Sequence, residues 1–158
     1  MAGNENKVQA IRTHFTPLLE KPILRYQTAE ILYEDGTWDS WPDLPIRIYT
    51  DQALISVSWS RFDDLWLSND ESLPFAAEDA RTRWVENDIP SINDCFGRSI
   101  HAVLLGRGEM SIENEPIEIW TRLLIDLGDR WLEVFNALDE NGYSLHQHKP
   151  SGDFVHCI

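Results

Sequence analysis

The chain has too few cysteines to be built on disulfides. Its 158 residues include only Cys95 and Cys157, well below the density a small secreted scaffold requires. Long apolar runs are missing too. The longest is the four residues Ala102 to Leu105, whereas a membrane-spanning helix needs about 20. The opening residues, Met1 to Lys7, are polar and lack the apolar stretch of a secretory signal. A reducing cytoplasm and two free thiols are the expectation. Cations are also scarce, with 13 Lys and Arg against 27 Asp and Glu, a formal net charge of -14. Such a charge repels nucleic acid and anionic membranes and speeds encounter with a basic partner, an effect that salt weakens. It equally serves solubility, and it says nothing of fold.

What the chain does have is apolar and aromatic material. A hydrophobic fraction of 42% with seven Trp suffices for one ordinary core, so residues 1–158 are expected to form a single domain without metals or disulfides. Val8, Ile11, Phe15 and Leu18 recur at spacings of three and four, the period of one helical face. Pro17 should end that helix near Thr16. Strand patterns follow at Ile23 to Tyr33, Ile46 to Tyr49 and Leu54 to Trp59, the last two forming a hairpin about Thr50-Asp51-Gln52. Ala76 to Val85 is rich in helix formers and predicts a second helix ending before Pro90. Further strands are predicted at Ile100 to Leu105, Ile117 to Leu127, Trp131 to Ala137 and Tyr143 to His148. The turns between them are placed at Gly106 to Gly108, Gly128-Asp129 and Asn141-Gly142.

An offset of 77 residues aligns the two halves. Leu19 to Ile23 falls on Phe96 to Ile100, Ile46-Arg47-Ile48 on Leu123-Leu124-Ile125, and Leu54 to Val57 on Trp131 to Val134. Identities are few, and any two halves built of a helix and strands share apolar positions by pattern alone. The expected fold is α+β: two similar halves, 1–77 and 78–158, each a helix plus an antiparallel meander, whose sheets join at an edge or pack face to face.

Chemistry-bearing motifs are sparse. His146, His148, His156 and Cys157, with Asp153 nearby, offer metal-ligating groups, but no Cys-x-x-Cys or His-Glu-x-x-His pattern accompanies them. No metal or cofactor is assigned. No Gly-x-Ser-x-Gly elbow is present, Cys95 is expected in the core as the counterpart of Leu18, and His101 reads as a strand residue. Leu105 to Glu109 lacks the third glycine and following helix of a dinucleotide loop. Carboxylate pairs such as Asp70-Glu71, Asp139-Glu140 and Glu113 with Glu115 read as solvated faces, so no catalytic residue is assigned.

Aromatic and acidic residues recur together in Trp38-Asp39-Ser40-Trp41-Pro42-Asp43 and in Trp59 to Trp66. Such segments suit an interface with buried aromatic anchors and a carboxylate rim. Trp59 and Trp66 are as readily core residues. The partner-binding residues expected are Trp38, Asp39, Trp41, Asp43, Asp63 and Asp64.

In general character, and in the segment Leu132-Glu133-Val134-Phe135-Asn136-Ala137-Leu138-Asp139-Glu140-Asn141, the chain resembles the immunity proteins of bacterial toxin systems, including contact-dependent growth inhibition. The resemblance implies a cytosolic protein that binds a cognate, often basic, toxin domain such as a nuclease and blocks it. Two alternatives stand beside it: a small metal- or carboxylate-dependent enzyme, and an acidic adaptor or structural subunit.

Overall fold

The computed structural model describes residues 2–158. Helix α1 spans Ala2–Phe15 and buries Ile11 and Phe15 completely. Pro17 cannot supply the next backbone donor, and the chain tightens into a 3-10 turn over Thr16–Leu18. Six strands follow: β1 Arg25–Leu32, β2 Trp38–Ser40, β3 Ile46–Tyr49, β4 Leu54–Trp59, β5 Leu65–Ser68 and β6 Thr82–Glu86. They form an antiparallel sheet in the order β2-β1-β3-β4-β5, with β6 on the other edge of β1. A 3-10 segment, Pro90–Cys95, leads into the second set: β7 Ala102–Gly108, β8 Ser111–Ile112, β9 Glu115–Pro116, β10 Ile119–Asp126, β11 Trp131–Asn136, β12 Asn141–His146 and β13 Phe154–His156. Its sheet runs β12-β11-β10-β7-β13.

The α+β class is as expected, and the sheets meet face to face. Ile46, Ile48, Ile55, Val57 and Trp59 of the first sheet share one buried cluster with Val103, Leu105, Leu123, Ile125, Leu132 and Val134 of the second. Trp59 spans the layers, its indole Nε1 donating to Val134 O at 2.9 Å. The helix lies against β5 and β7, and the Pro90–Cys95 segment against β12.

Bonds recur at a step of 77. β4 and β11 begin at Leu54 and Trp131 and end at Trp59 and Asn136. Glu20 N donates to Ile100 O at 2.7 Å and Gly97 N to Ile23 O at 2.8 Å. Ile23 N donates to Arg98 O at 3.0 Å and Ile100 N to Lys21 O at 3.1 Å. Exchanging each residue for its counterpart 77 positions away turns one bond of each pair into the other, a two-fold relation between the halves at their crossing. Glu20 and Gly97 also share a left-handed backbone, φ 61° and 77°.

Three sequence expectations are corrected. No second α-helix forms over Ala76 to Val85: a short 3-10 turn, Asp79–Arg81, leads into β6. The open edge of β1 offers Thr82 to Glu86 a full set of ladder partners, and Trp84 stacks beneath the buried Arg47 guanidinium at 3.5 Å, so tertiary pairing overrides helix propensity. Gly106 to Gly108 is strand interior rather than a turn; a Cβ at Gly106 would lie 2.5 Å from the Phe154 ring. Asn141-Gly142 is likewise not the turn but the start of β12. The turn is Leu138-Asp139, φ 56° and 70°, closed by Ala137 N donating to Glu140 O at 2.7 Å.

The segment after β5 crosses the outer face of the first sheet. Arg47 Nη2 donates to Glu71 O at 2.7 Å, Tyr49 OH to Glu71 Oε1 at 2.8 Å, and Ser56 Oγ to Asp70 O at 2.8 Å.

Candidate functional site

The six expected partner-binding residues fall on two separate segments. Trp38, on β2, is half-buried with the Arg83 guanidinium 4.3 Å above its ring. Asp39 is exposed and accepts from Ser40 N at 2.8 Å. Trp41 is half-buried, edge-on to Phe75 with ring centres 5.9 Å apart. Asp43 is exposed, and its carbonyl accepts from Ser58 Oγ at 3.2 Å. Asp63 and Asp64 lie in the β4–β5 loop. Asp63 pairs with Lys7 of α1 at 2.7 Å, while Asp64 is exposed and closes the loop through its backbone. No side-chain bond joins the two segments among the described residues.

The β4–β5 loop instead meets the β11–β12 turn. Asn136 Nδ2 donates to Ser60 O at 2.6 Å and to Phe62 O, Phe62 N donates to Asp139 Oδ1 at 3.1 Å, and Asp139 N to Asn136 Oδ1 at 2.7 Å. Laced together, the two turns form a knuckle that presents Phe62 at 60% exposure and Leu138 at 94%. Both residues have left-handed backbones, φ 57° and 56°, a conformation that costs an L-residue about 1–2 kcal/mol. Neither side chain recovers that cost by burial in this chain. Their neighbours along the chain are Arg61, Asp63, Asp64, Asp139 and Glu140, of which Asp63 is paired with Lys7. Sequence reading passed over Phe62 and Leu138; the signal was a large apolar residue in each case set among charged neighbours, Arg61-Phe62-Asp63 and Leu138-Asp139-Glu140.

The knuckle forms one end of a groove on the outer face of the second sheet. Its main compartment, about 510 Å³, is lined by Phe62, Leu138, Met110, Ile119, Phe135 and Arg122 among others. In its floor Glu133, 5% exposed, holds Arg122 Nε at 2.7 Å and His146 Nε2 at 2.8 Å. Arg122 Nη1 continues to Ser151 O at 3.0 Å. Both Glu133 oxygens are therefore engaged.

The tail histidines part company: His146 turns to Glu133, while His148 and His156 are exposed. Among the described residues no cluster of three or more His, Cys, Asp or Glu is arranged to hold a metal ion, and no helix is long and apolar enough to cross a membrane. Cys95 is buried, as the core reading expects, and desolvation pushes its thiol up to about 12. Comparison with protein-family models, curated proteins and solved structures returns no match.

Proposed function

We propose that this protein is an immunity-type inhibitor, a cytoplasmic binding protein that neutralises a cognate basic toxin domain, with a nuclease as the toxin class the sequence resemblance implies. The observation that carries this reading is the knuckle. Phe62 and Leu138 are held out to solvent on two interlocked left-handed turns, flanked in sequence chiefly by carboxylates, in a chain of net charge -14. An exposed apolar anchor at the centre and charge at the rim is the layout of a protein interface. Strain kept on residues whose side chains stay exposed points the same way. Asp63 and Asp64 belong to this rim. Trp38, Asp39, Trp41 and Asp43 form a second contact segment in the same proposal. The alternative of a carboxylate-dependent enzyme has a weaker footing, because Glu133, the buried carboxylate of the groove, has both oxygens taken by Arg122 and His146.

The test is co-expression with the C-terminal domain encoded by the neighbouring gene. A one-to-one complex that abolishes that domain's toxicity, with an association rate falling as salt rises, is expected. Undiminished toxicity and no complex would overturn the reading.

A further inference from the structure

The β7–β10 hairpin does not stop at the sheet. Gly108 pairs with Ile119, Ile117 N donates to Met110 O at 3.0 Å, and Ser111 and Ile112 pair with Pro116 and Glu115. The same register runs unbroken to a tight turn at Glu113-Asn114, both left-handed at φ 52° and 66°, the geometry of a two-residue hairpin turn. The result is a two-stranded arm projecting beyond the sheet, with residues 109–116 all exposed.

Residues directly opposite in a ladder share a face, and the face alternates along each strand. Met110, Ile112, Ile117 and Ile119 therefore occupy one face of the arm. Met110 is 37% and Ile112 51% exposed. Met110 and Ile119 line the same compartment as Phe62 and Leu138, so the arm is a second apolar jaw opposite the knuckle. A further compartment of about 420 Å³ shares Gly108, Glu109, Met110 and Arg122 with the first and runs on to Asp153. The trough is thus elongated. At the shared point Thr121 packs against Gly108 so closely that a Cβ there would collide with its Oγ1.

Charge identifies the occupant. Glu113 and Glu115 at the tip of the arm, Glu109 and Glu118 on its other face, and Asp64, Asp139 and Glu140 on the knuckle take part in no ion pair among the described residues. Two arginines line the trough: Arg122 is satisfied by Glu133 and Ser151, and Arg107 borders the second compartment, so the seven carboxylates outnumber the cations. We infer that arm and knuckle form a clamp for an extended segment of the partner in which apolar side chains alternate with Lys or Arg. The apolar side chains lie between the jaws and the cations meet the carboxylates on their rims. This inference rests on the proposed binding role and specifies how that role is carried out.

The probe is a pair of synthetic decapeptides, one alternating Lys with Val and one alternating Glu with Val, titrated into the full ¹⁵N-labelled chain. The Lys peptide should shift the amide signals of Gly108, Met110, Ile112 and Leu138. It should bind at least tenfold more tightly than the Glu peptide and lose at least tenfold in the exposed-arm variant Met110→Asp/Ile112→Asp. Absence of these shifts, or equal binding of both peptides, would overturn the clamp. The same arm variant tested against the toxin domain separates the two claims. Toxin binding retained with unchanged affinity would remove the clamp and leave the inhibitor reading intact. Loss of at least tenfold there would support it.

Discussion

Asn141 joins the two sheets at Trp59. Its Oδ1 accepts from Trp59 N at 2.8 Å, its Nδ2 donates to Val57 O at 2.9 Å, and its backbone N donates to Pro42 O at 3.0 Å. The residue is 4% exposed. Without its carboxamide, buried groups of β4 have no access to water. Asn141→Ala is expected to cost about 2 kcal/mol, the penalty of stranding buried polar groups, measured by urea unfolding. A loss under about 0.5 kcal/mol would show that water replaces the side chain.

Fold class, the first helix and the Ile46 to Trp59 hairpin were legible in the sequence because each rests on local periodicity. Asn141 shows where legibility stops. Asn-Gly is a strong turn signal, yet here the asparagine is selected for its buried carboxamide, and the turn falls to Leu138-Asp139, of which only the aspartate tolerates a left-handed backbone readily. Thr82 to Glu86 was misread for a related reason: the vacant edge of β1, distant in sequence, decides its structure. The 77-residue step was visible as spacing, and the exchange of bonds at Glu20, Ile23, Gly97 and Ile100 supports the proposal of a duplication. Of the proposed site, the acidic residues Asp63 and Asp64 are those that composition singles out. Phe62, Leu138 and the arm were not legible, because exposure of a large apolar residue is a property of the folded surface.

Glu133→Ala should destabilise the second sheet. It leaves Arg122 with its bond to Ser151 O and deprives His146 Nε2 of its partner. Arg122 and His146 side chains are 21% and 31% exposed, so solvent offsets part of the loss. About 2–3 kcal/mol is expected, below the cost of breaking a fully buried pair. A double-mutant cycle with Arg122→Ala should show a coupling above about 0.5 kcal/mol; additive losses would contradict it.

Acid should loosen the segment after β5. Hydroxyls of Ser68 and Ser72, with Ser72 N, hold the Asp70 carboxyl down from 3.8 to about 2. A lowered folded-state value means the stabilisation is complete above about pH 4 and is lost as pH falls through about 2. Wild type and Asp70→Asn should therefore differ in urea midpoint at pH 6 and converge near pH 2. A constant difference across that range would assign the effect to packing.

Burial raises Cys95 to about 12 and Cys157 to about 11, and both thiols are 3% exposed or less. The native protein should therefore resist aromatic disulfide reagents at pH 8 and release two equivalents of thiol once unfolded. Rapid native labelling of either would contradict the core placement.

Leu138 and Phe62, proposed to be strained outward for a partner, separate stability from binding. Asn tolerates the left-handed backbone that Leu138 adopts at φ 56°. Leu138→Asn should hold or raise stability, by up to about 1 kcal/mol, while weakening the complex with the toxin domain at least tenfold in a calorimetric titration, and Phe62→Ala should weaken it comparably. Undiminished affinity in both variants would contradict the claim.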